Sequence, residues 1–247
     1  MVYKRMGELK DKNMMPCVAM RGLVAFPKMV MHFDIARDLS VKAIEKAVDN
    51  DRRIFLITQK NAFIENPSEK DLYKVGVAAE IKQVLKTPDN IMRVIVEGIY
   101  KAKLISIDKS EGFIEAEIKR TINYSRAKTD EVETEAVMRS LKDAFSRYAD
   151  FFQKMPKEML QSILAENDPI ILFENIAFNI NFDYQEKQEL LEENNIIYRL
   201  SMLYGMLIHE IEILEVERQI QEQVYENLDK NQKEYYLREQ LNVIRSE

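Results

Sequence analysis

The amino-acid sequence predicts an α+β protein. A mostly-β N-terminal lobe with one short helix is followed by an all-α helical bundle that ends in a long protruding helix. Through residues 15–122, short apolar runs alternate with turn residues, which is typical of strands and hairpins. After the polar segment 123–130, apolar residues recur at the spacing of amphipathic helices. We therefore expect a β lobe over 1–122, a linker over 123–130 and a helical region over 131–247.

The first predicted elements are two strands with a short helix between them. Phe33 and Ile35 indicate one strand, and the apolar run 54–57 indicates another. Ser40 is expected to cap the helix, because its hydroxyl can accept a hydrogen bond from an unpaired N–H of the first turn. The apolar face of this helix would carry Val41, Ile44 and Val48.

Two pairs of strands follow, each joined by a turn. The four strands are predicted at residues 76–85, 91–96, 102–107 and 113–122. Residues 87–90 read Thr-Pro-Asp-Asn, and proline followed by Asp and Asn favours a tight turn. Residues 109–112 end in glycine and form the second turn. In the last strand, apolar residues alternate with Glu and Lys, which indicates one buried face and one solvent-exposed face.

The second half begins with four short helices. Their predicted starts are at Thr129 or Asp130, Pro156, Pro169 and Asp183. Aspartate and threonine satisfy unpaired N–H groups at helix starts, and proline is tolerated in the first turn because its missing N–H is not needed there. Each helix is too short to be stable alone, so the four must pack together.

The last stretch, from about residue 195 to 247, contains no proline and a single glycine, Gly205. It predicts one helix of roughly 80 Å, at about 1.5 Å per residue. Its apolar residues form two stripes, the first at 203, 207, 211 and 214 and the second at 213, 216, 220, 224 and 228. A helix of this length needs a partner, either another copy of the chain or a following domain. Tyr225, Tyr235 and Tyr236 are the candidate residues for that contact.

Composition narrows the possible functions. The chain has 247 residues, of which only 6 are glycine, so it has few positions for the tight loops that bind phosphate groups. Residues 1–125 contain 22 Lys and Arg against 17 Asp and Glu, a net charge of +5, and the remainder contains 14 against 25, a net charge of −11. Because nucleic-acid affinity depends largely on neutralising phosphates, the acidic half argues against nucleic acid as a partner.

The single cysteine and the N-terminal segment indicate a reducing, cytoplasmic location, and the two histidines argue against a metal site. A single cysteine, Cys17, rules out an internal disulfide. His32 and His209 are far apart in sequence, so we expect no metal site. The charged N-terminal segment lacks the apolar stretch of a secretory signal, and no apolar run is long enough to span a membrane.

The sequence predicts no catalytic residues. It has no phosphate-binding loop of the G-x-x-x-x-G-K-[ST] type. Ser106 with Lys109 and Ser125 with Lys128 both match S-x-x-K, which brings the two side chains together only on a helix. The first match falls in a predicted strand and the second in the predicted linker, so neither is expected to be an active site.

Methionine suggests a binding surface instead. The chain has 13 methionines, several of them before residue 32, and this flexible, polarizable side chain suits surfaces that accept varied apolar partners. Phe26, Met29, Met31 and Phe33 are the candidate substrate-binding residues. Strand alternation places Met29, Met31 and Phe33 on one face, and that face fits a protein core as well as it fits a binding surface.

Several segments resemble one known family. They are residues 20–27 (Met-Arg-Gly-Leu-Val-Ala-Phe-Pro), 54–60, 71–76, 96–98, 187–192 and 234–241. In order and spacing they resemble the N-terminal region of bacterial ATP-dependent Lon proteases, over nearly the whole chain from about Met15. Ala19 and Lys28 stand where proline and glycine are common in that family, and His32 stands where an apolar residue is usual.

The resemblance implies a PUA-like β lobe, a helical bundle and a long helix leading to an AAA+ ATPase. The ATPase and the Ser-Lys protease domain would follow residue 247, and ATP and Mg²⁺ would bind there, so this chain is expected to hold no cofactor and to be no enzyme itself. It would be a non-catalytic substrate-recognition and assembly region of a cytoplasmic homohexamer that degrades unfolded or damaged proteins. Two alternatives stay open: a stand-alone PUA-like RNA-binding module, and a structural coiled-coil assembly element.

Overall fold

A computed structural model of the chain describes residues 13–87, 91–121, 131–152 and 155–246, without the side chains of residue 13 and of several residues near the end of the last helix. The predicted linker 123–130 lies outside the described residues, and so do the two candidate caps Thr129 and Asp130. In the part that is described, a mostly-β lobe precedes a helical region with a long last helix. This arrangement confirms the predicted fold class.

The β lobe is a small barrel with one added strand and one helix. Its elements are β1 (Asn13–Met20), β2 (Val30–Ile35), α1 (Asp38–Asp49), β3 (Arg53–Thr58), β4 (Val75–Lys86), β5 (Met92–Asp108) and β6 (Ile114–Arg120). The strand order is β2-β5-β4-β3-β1-β6, and β5 also pairs with β6, so five strands form a closed ring. The β1–β3 pair is parallel, and the others are antiparallel.

Small and β-branched side chains fill the ring. The buried cluster inside the barrel consists of Met15, Cys17, Ala19, Phe55, Ile57, Leu72, Ala78, Ala102, Leu104, Ile114, Ala116 and Ile118. Because successive side chains of a strand point to opposite faces, the residues between these ones face outward. Some of those outward residues pack against α1, β2 and the helical region, and others are exposed to solvent.

The helical region consists of α2 (Glu131–Ala149), α3 (Lys157–Leu164), α4 (Pro169–Asn179), α5 (Tyr184–Glu192) and α6 (Ile196–Ser246). Three of the predicted starts are confirmed. Asp168 accepts hydrogen bonds from the N–H groups of Ile170 and Ile171, with Pro169 in the first turn. Asp183 forms a reciprocal capping box with Glu186, and Pro156 is the residue directly before α3.

One apolar core joins the two lobes. It contains the outward side chains of the barrel, α1 and the inner faces of α2 to α6. At its centre the ring of Phe26 meets the ring of Phe173 edge-on, with centroids 6.4 Å apart. Polar contacts strengthen the same junction, since Gln188 donates to the carbonyl of Val75 at 2.9 Å and Lys101 donates to the carbonyl of Leu191 at 2.8 Å.

Helix α6 changes character along its length. In its first part Leu200, Leu203, Leu207 and Ile211 are buried against the bundle. From residue 216 onward, every side chain that the structure describes is exposed. The predicted first stripe is therefore core, and the predicted second stripe lies in solvent.

Two local predictions are wrong. Helix α1 begins at Asp38 after Arg37, no side chain caps it, and Ser40 lies buried inside its first turn. The strands predicted at 91–96 and 102–107 are one continuous strand of 17 residues, β5, with Gly98 near its middle. This strand can be long because its first half pairs with β2 and its second half with β6.

Candidate functional site

Two of the predicted substrate-binding residues are not on the surface. Phe26 is 1% exposed and Phe33 is 5% exposed, and both belong to the core that joins the lobes. For these two residues the expectation of a surface role is therefore corrected. The reason is tertiary: the helical bundle covers this side of the barrel, and Phe173 packs on Phe26.

Met29 and Met31 are half-buried against the same core. Strand β2 alternates as expected, with Met31, Phe33 and Ile35 facing inward and His32 and Asp34 facing solvent. Part of each methionine is accessible, and binding by either residue stays a prediction.

Two of the apolar side chains that the β lobe exposes lie on two loops that a hydrogen bond connects. One is the segment 21–27 after β1, here called the Leu23 loop, and the other is the segment 59–68 after β3, here called the Phe63 loop. Leu23 is 43% exposed and Phe63 is 91% exposed. Sequence reasoning singled out neither residue.

The Phe63 loop is held in one shape by its own hydrogen bonds. The buried Gln59 side chain donates to the carbonyls of Asn61 at 3.2 Å and Ile64 at 2.9 Å. The Asn61 side chain accepts a hydrogen bond from the N–H of Phe63 at 2.9 Å. At the end of the loop, Ser68 donates to Asp71 in a capping box, and these hydrogen bonds lower the pKa of Asp71. Phe63 is therefore presented to solvent by a fixed backbone.

Two arginines connect the Phe63 loop to strand β1 and to the Leu23 loop that follows it. Arg37 donates to the side chain of Gln59 at 2.8 Å and to the carbonyl of Ala19. Its half-buried position lowers the pKa of its guanidinium, with a contribution from the nearby Arg21. Arg21 in turn donates to the carbonyl of Ile64 at 3.3 Å. Leu23 and Phe63 thus project from a single cross-linked frame.

The Leu23 loop continues into a turn with unusual backbone geometry. Lys28 has a φ of 60°, a conformation that costs little for glycine and more for any residue with a Cβ atom. The N–H of Lys28 donates to the carbonyl of Gly98 at 2.8 Å, which fixes the turn against β5. Glycine, which the family resemblance makes the expected residue at this position, would adopt this geometry at a lower cost than lysine does.

The S-x-x-K match at Ser106 and Lys109 does not bring its serine and lysine together in the structure. Ser106 donates to Glu117 and Lys109 donates to the carbonyl of Pro67, so this serine and lysine have separate partners. Ser125 and Lys128 lie outside the described residues. Burial strongly raises the pKa of the Cys17 thiol, which keeps it protonated at neutral pH.

Within the described ranges, no group of three or more His, Cys, Asp and Glu side chains is placed to hold a metal ion. The helices of the same ranges also include none with the length and apolar character needed to cross a bilayer.

The structure describes the side chains of two of the three tyrosines that the sequence predicts as contact residues of α6. Tyr225 is 72% exposed and Tyr235 is 69% exposed, on the segment that projects from the bundle. The side chain of Tyr236 lies outside the described part of the structure. A role for these tyrosines in assembly stays a prediction.

Comparison with known proteins identifies the family. The model of the ATP-dependent protease La (LON) substrate-binding domain matches residues 14–209. The chain belongs to the LON substrate-binding domain family. The match includes the barrel, both loops and most of the buried part of α6, and it excludes the segment of α6 that projects from the bundle.

Full-length relatives agree with this family. The chain is 42% identical over 233 residues to the Lon protease of Heliobacterium modesticaldum, covering 94% of this chain and 28% of that protein. It is 38% identical over 240 residues to the Lon protease of Clostridioides difficile, covering 96% and 30%. The chain thus spans less than a third of the length of these relatives.

Solved structures show the same fold. The N-terminal domain of the Mycobacterium avium complex Lon protease superposes with a TM-score of 0.63 at 19% identity, covering 78% of this chain and 97% of that one. A Lon N-terminal domain protein from Xanthomonas campestris superposes with a TM-score of 0.55 at 10% identity, with the same coverage. At these identities the likeness concerns the fold alone.

Proposed function

We propose that this chain binds unfolded or misfolded protein segments through Leu23 and Phe63. The observation that carries the proposal is the 91% exposed Phe63 ring on a loop fixed by Gln59 and Arg37. A rigid, exposed aromatic side chain contributes contact area to a partner while losing little conformational entropy on binding. Exposed apolar segments are common in unfolded chains and scarce on folded ones, so this surface would distinguish the two.

The family supports placing this binding role in an ATP-dependent protease. In that role the chain is the non-catalytic part, and the ATPase and Ser-Lys protease activities, with ATP and Mg²⁺, belong to other regions of the parent protein. The parent would be a cytoplasmic homohexamer. A ring would strengthen weak single contacts, because several copies can bind one unfolded chain together.

Replacing the two exposed side chains tests the binding surface. We expect Leu23→Ser/Phe63→Ser to weaken binding of a denatured model protein about thirtyfold, because two apolar anchors at about 1 kcal/mol each contribute about 2 kcal/mol together. Stability should change by no more than about 0.5 kcal/mol, since neither side chain is in the core. Fluorescence titration gives the affinity, and urea unfolding gives the stability.

Val132→Ser is the matched control, because Val132 is 75% exposed on α2, far along the chain from both loops. It should bind as the wild type does. Equal affinity of the wild type for the folded and the denatured model protein would contradict the proposed function. Unchanged binding by the Leu23→Ser/Phe63→Ser variant would show that the binding site lies on other residues.

We also propose that the exposed stripe of α6 is an assembly surface. Ile213, Val216, Ile220, Val224 and Leu228 are each between 40% and 54% exposed, a continuous apolar row on a helix that projects from the bundle. Leu207 in the buried stripe and Val224 in this row are 17 positions apart. At about 100° per residue they point about 100° apart, so the row faces away from the chain's own bundle.

A single charge in this row is expected to disrupt self-association. Ile220→Glu should shift the chain towards the 29.1 kDa monomer in sedimentation velocity, because a carboxylate would be buried in an apolar helix contact. Gln219→Glu adds the same charge on a different face and should leave the mass distribution unchanged. A wild-type chain that stays monomeric at high micromolar concentration would refute this proposal.

A further inference from the structure

A groove of about 460 Å³ lies between the base of the Phe63 loop and strand β5. Four lysines line it, namely Lys60, Lys70, Lys74 and Lys103, and we call it the lysine groove. Lys60 donates to the carbonyl of Lys70 at 2.9 Å, which holds its ammonium group at the groove. The lysine groove is therefore next to the loop that carries Phe63.

Three of the four lysines of the groove have no carboxylate within ion-pair distance in the part of the chain that the structure describes. Among the described residues, Lys70, Lys74 and Lys103 take part in no ion pair. Elsewhere in the β lobe, by contrast, Lys82 lies 2.8 Å from both Glu80 and Glu97.

Strand pairing adds to this charge. Lys103 on β5 is the register partner of Lys119 on β6, and both side chains are exposed. Like charges directly opposite each other destabilise a sheet, so folding alone does not account for this pair.

The groove also has an apolar side. Leu72 and Leu104 lie at its base and belong to the barrel core. Ile105, at the rim, is 45% exposed, and the pairing of β5 with β6 shifts register between Leu104 and Ser106. A bulge of this kind redirects a side chain that regular pairing would place otherwise. The result is an apolar floor with a cationic rim.

We propose that the lysine groove binds short protein segments in which acidic side chains flank an apolar one, so that this chain favours acidic–apolar segments among unfolded substrates. The inference rests on the proposed function, because the same segment would contact Phe63. A carboxylate at the rim would pair with Lys74 or Lys103 while its apolar neighbour reaches Ile105 and the floor.

Carboxylates around the groove favour a peptide over a nucleic acid. Glu69 is part of its wall, and Glu189 and Glu192 of α5 lie close enough to Tyr73 to add to the effect of burial in raising the pKa of that phenol. A nucleic-acid strand carries a charge at every nucleotide and would bring several of them against these carboxylates, whereas a protein segment with one or two acidic side chains can place them at the lysines alone.

The test uses three peptides with the same apolar centre, flanked by Glu, Gln or Lys, and the whole 247-residue chain. We expect the Glu-flanked peptide to bind about fivefold more tightly than the Gln-flanked one, which corresponds to about 1 kcal/mol. The Lys-flanked peptide should bind more weakly than both. The preference for Glu should disappear at about 1 M salt, where charges are screened beyond about 3 Å.

Lys74→Gln/Lys103→Gln should abolish the preference for Glu and leave binding of the Gln-flanked peptide unchanged. Lys28→Gln/Lys42→Gln removes two other exposed lysines, and it should keep the preference. If the first variant loses its native circular dichroism spectrum, Lys70→Gln/Lys119→Gln replaces it with the same expectation.

The outcomes separate this inference from the proposed function. If the wild type binds none of the peptides, the proposed function fails and this inference fails with it. If the Gln-flanked peptide binds and the Glu-flanked one binds no better, only this inference is overturned. A preference for Glu that survives in the groove variants also overturns it. Tighter binding of a single-stranded RNA oligonucleotide than of the Glu-flanked peptide would assign the groove to nucleic acid instead.

Discussion

Replacing Gly98 by alanine is expected to destabilise the chain by about 3 kcal/mol or more. A Cβ atom on Gly98 would lie 2.2 Å from the carbonyl oxygen of Phe26 and 3.1 Å from the Cα of Pro27. Two hydrogen bonds keep the two backbone segments from moving apart. The N–H of Gly98 donates to the carbonyl of Met29 at 2.9 Å, and the carbonyl of Gly98 accepts from the N–H of Lys28 at 2.8 Å. Relieving the clash would break these hydrogen bonds, at about 1 kcal/mol each, and disturb the packing of Phe26.

Gly205→Ala is the matched control, because it adds the same methyl group elsewhere. A Cβ on Gly205 would meet nothing within 4 Å, and the residue lies inside α6. Since alanine is better than glycine in a helix by about 0.8–1.0 kcal/mol, this variant should be more stable than the wild type. Urea unfolding of the three proteins measures both changes.

The two substitutions should thus have opposite signs although the chemical change is identical. A Gly98→Ala chain as stable as the wild type would show that the turn before β2 does not press against β5. It would also weaken the account of why Phe26 is buried, because that turn holds Phe26 under Phe173.

Gly98 also shows why the strand boundaries could not be predicted fully. A glycine between two apolar runs is usually interpreted as a break, so residues 91–96 and 102–107 were expected to be separate strands. In the structure this glycine marks a close approach of two backbones within one strand. A glycine that breaks a strand and a glycine that allows a close backbone approach look the same in the local sequence. Only the position of the turn 26–29, which is distant in the chain, distinguishes them.

Helices were more predictable because their signals are local. Asp168 and Asp183 cap α4 and α5 through atoms at most three residues away. The prediction that Ser40 caps α1 is wrong for a reason that lies in the tertiary structure. Arg37 stands directly before α1, and its side chain is engaged with Ala19 and Gln59, which fixes where the helix begins.

The candidate site was only partly predictable for a similar reason. Alternation correctly placed Met31 and Phe33 on one face of β2, but it does not tell a core from an exposed apolar surface. The bundle decides this, and its residues follow about 100 or more positions later in the chain. Phe63 was missed because a single aromatic residue in the polar stretch 59–68 indicates a loop. Asn61 and Pro67, both turn-forming residues, were the available sign that this loop is ordered.

The free energy of unfolding is expected to rise between about pH 7 and pH 10 because of Lys101. This side chain is 2% exposed, and its ammonium group donates to the carbonyls of Leu191 at 2.8 Å and Glu193 at 2.9 Å. Burial, with a contribution from the nearby Arg199, lowers the pKa of Lys101 to about 7. Glu193, Glu192 and Glu174 also face it and oppose that change.

The free energy of unfolding rises with pH because the unfolded chain binds more protons than the folded chain in this range. An unfolded lysine has a pKa of about 10.4, so between about pH 7 and that value the unfolded chain holds a proton that the folded chain has lost. The free energy of unfolding then increases with pH, by up to about 1.4 kcal/mol per pH unit. A neutral amine keeps two N–H groups, which is enough for the two carbonyls that Lys101 contacts.

Lys101→Met separates this residue from other groups that titrate in the same range. Lys187, whose pKa is also lowered by burial, is present in both proteins, so its contribution cancels in the difference between them. We expect the wild type to gain stability relative to the variant as the pH rises from 7 to about 10, measured by urea unfolding at unit steps of pH. A difference that stays constant across this range would show that Lys101 remains charged when folded. The junction between barrel and bundle would then be held by a buried ammonium group whose charge is balanced by the glutamates that face it.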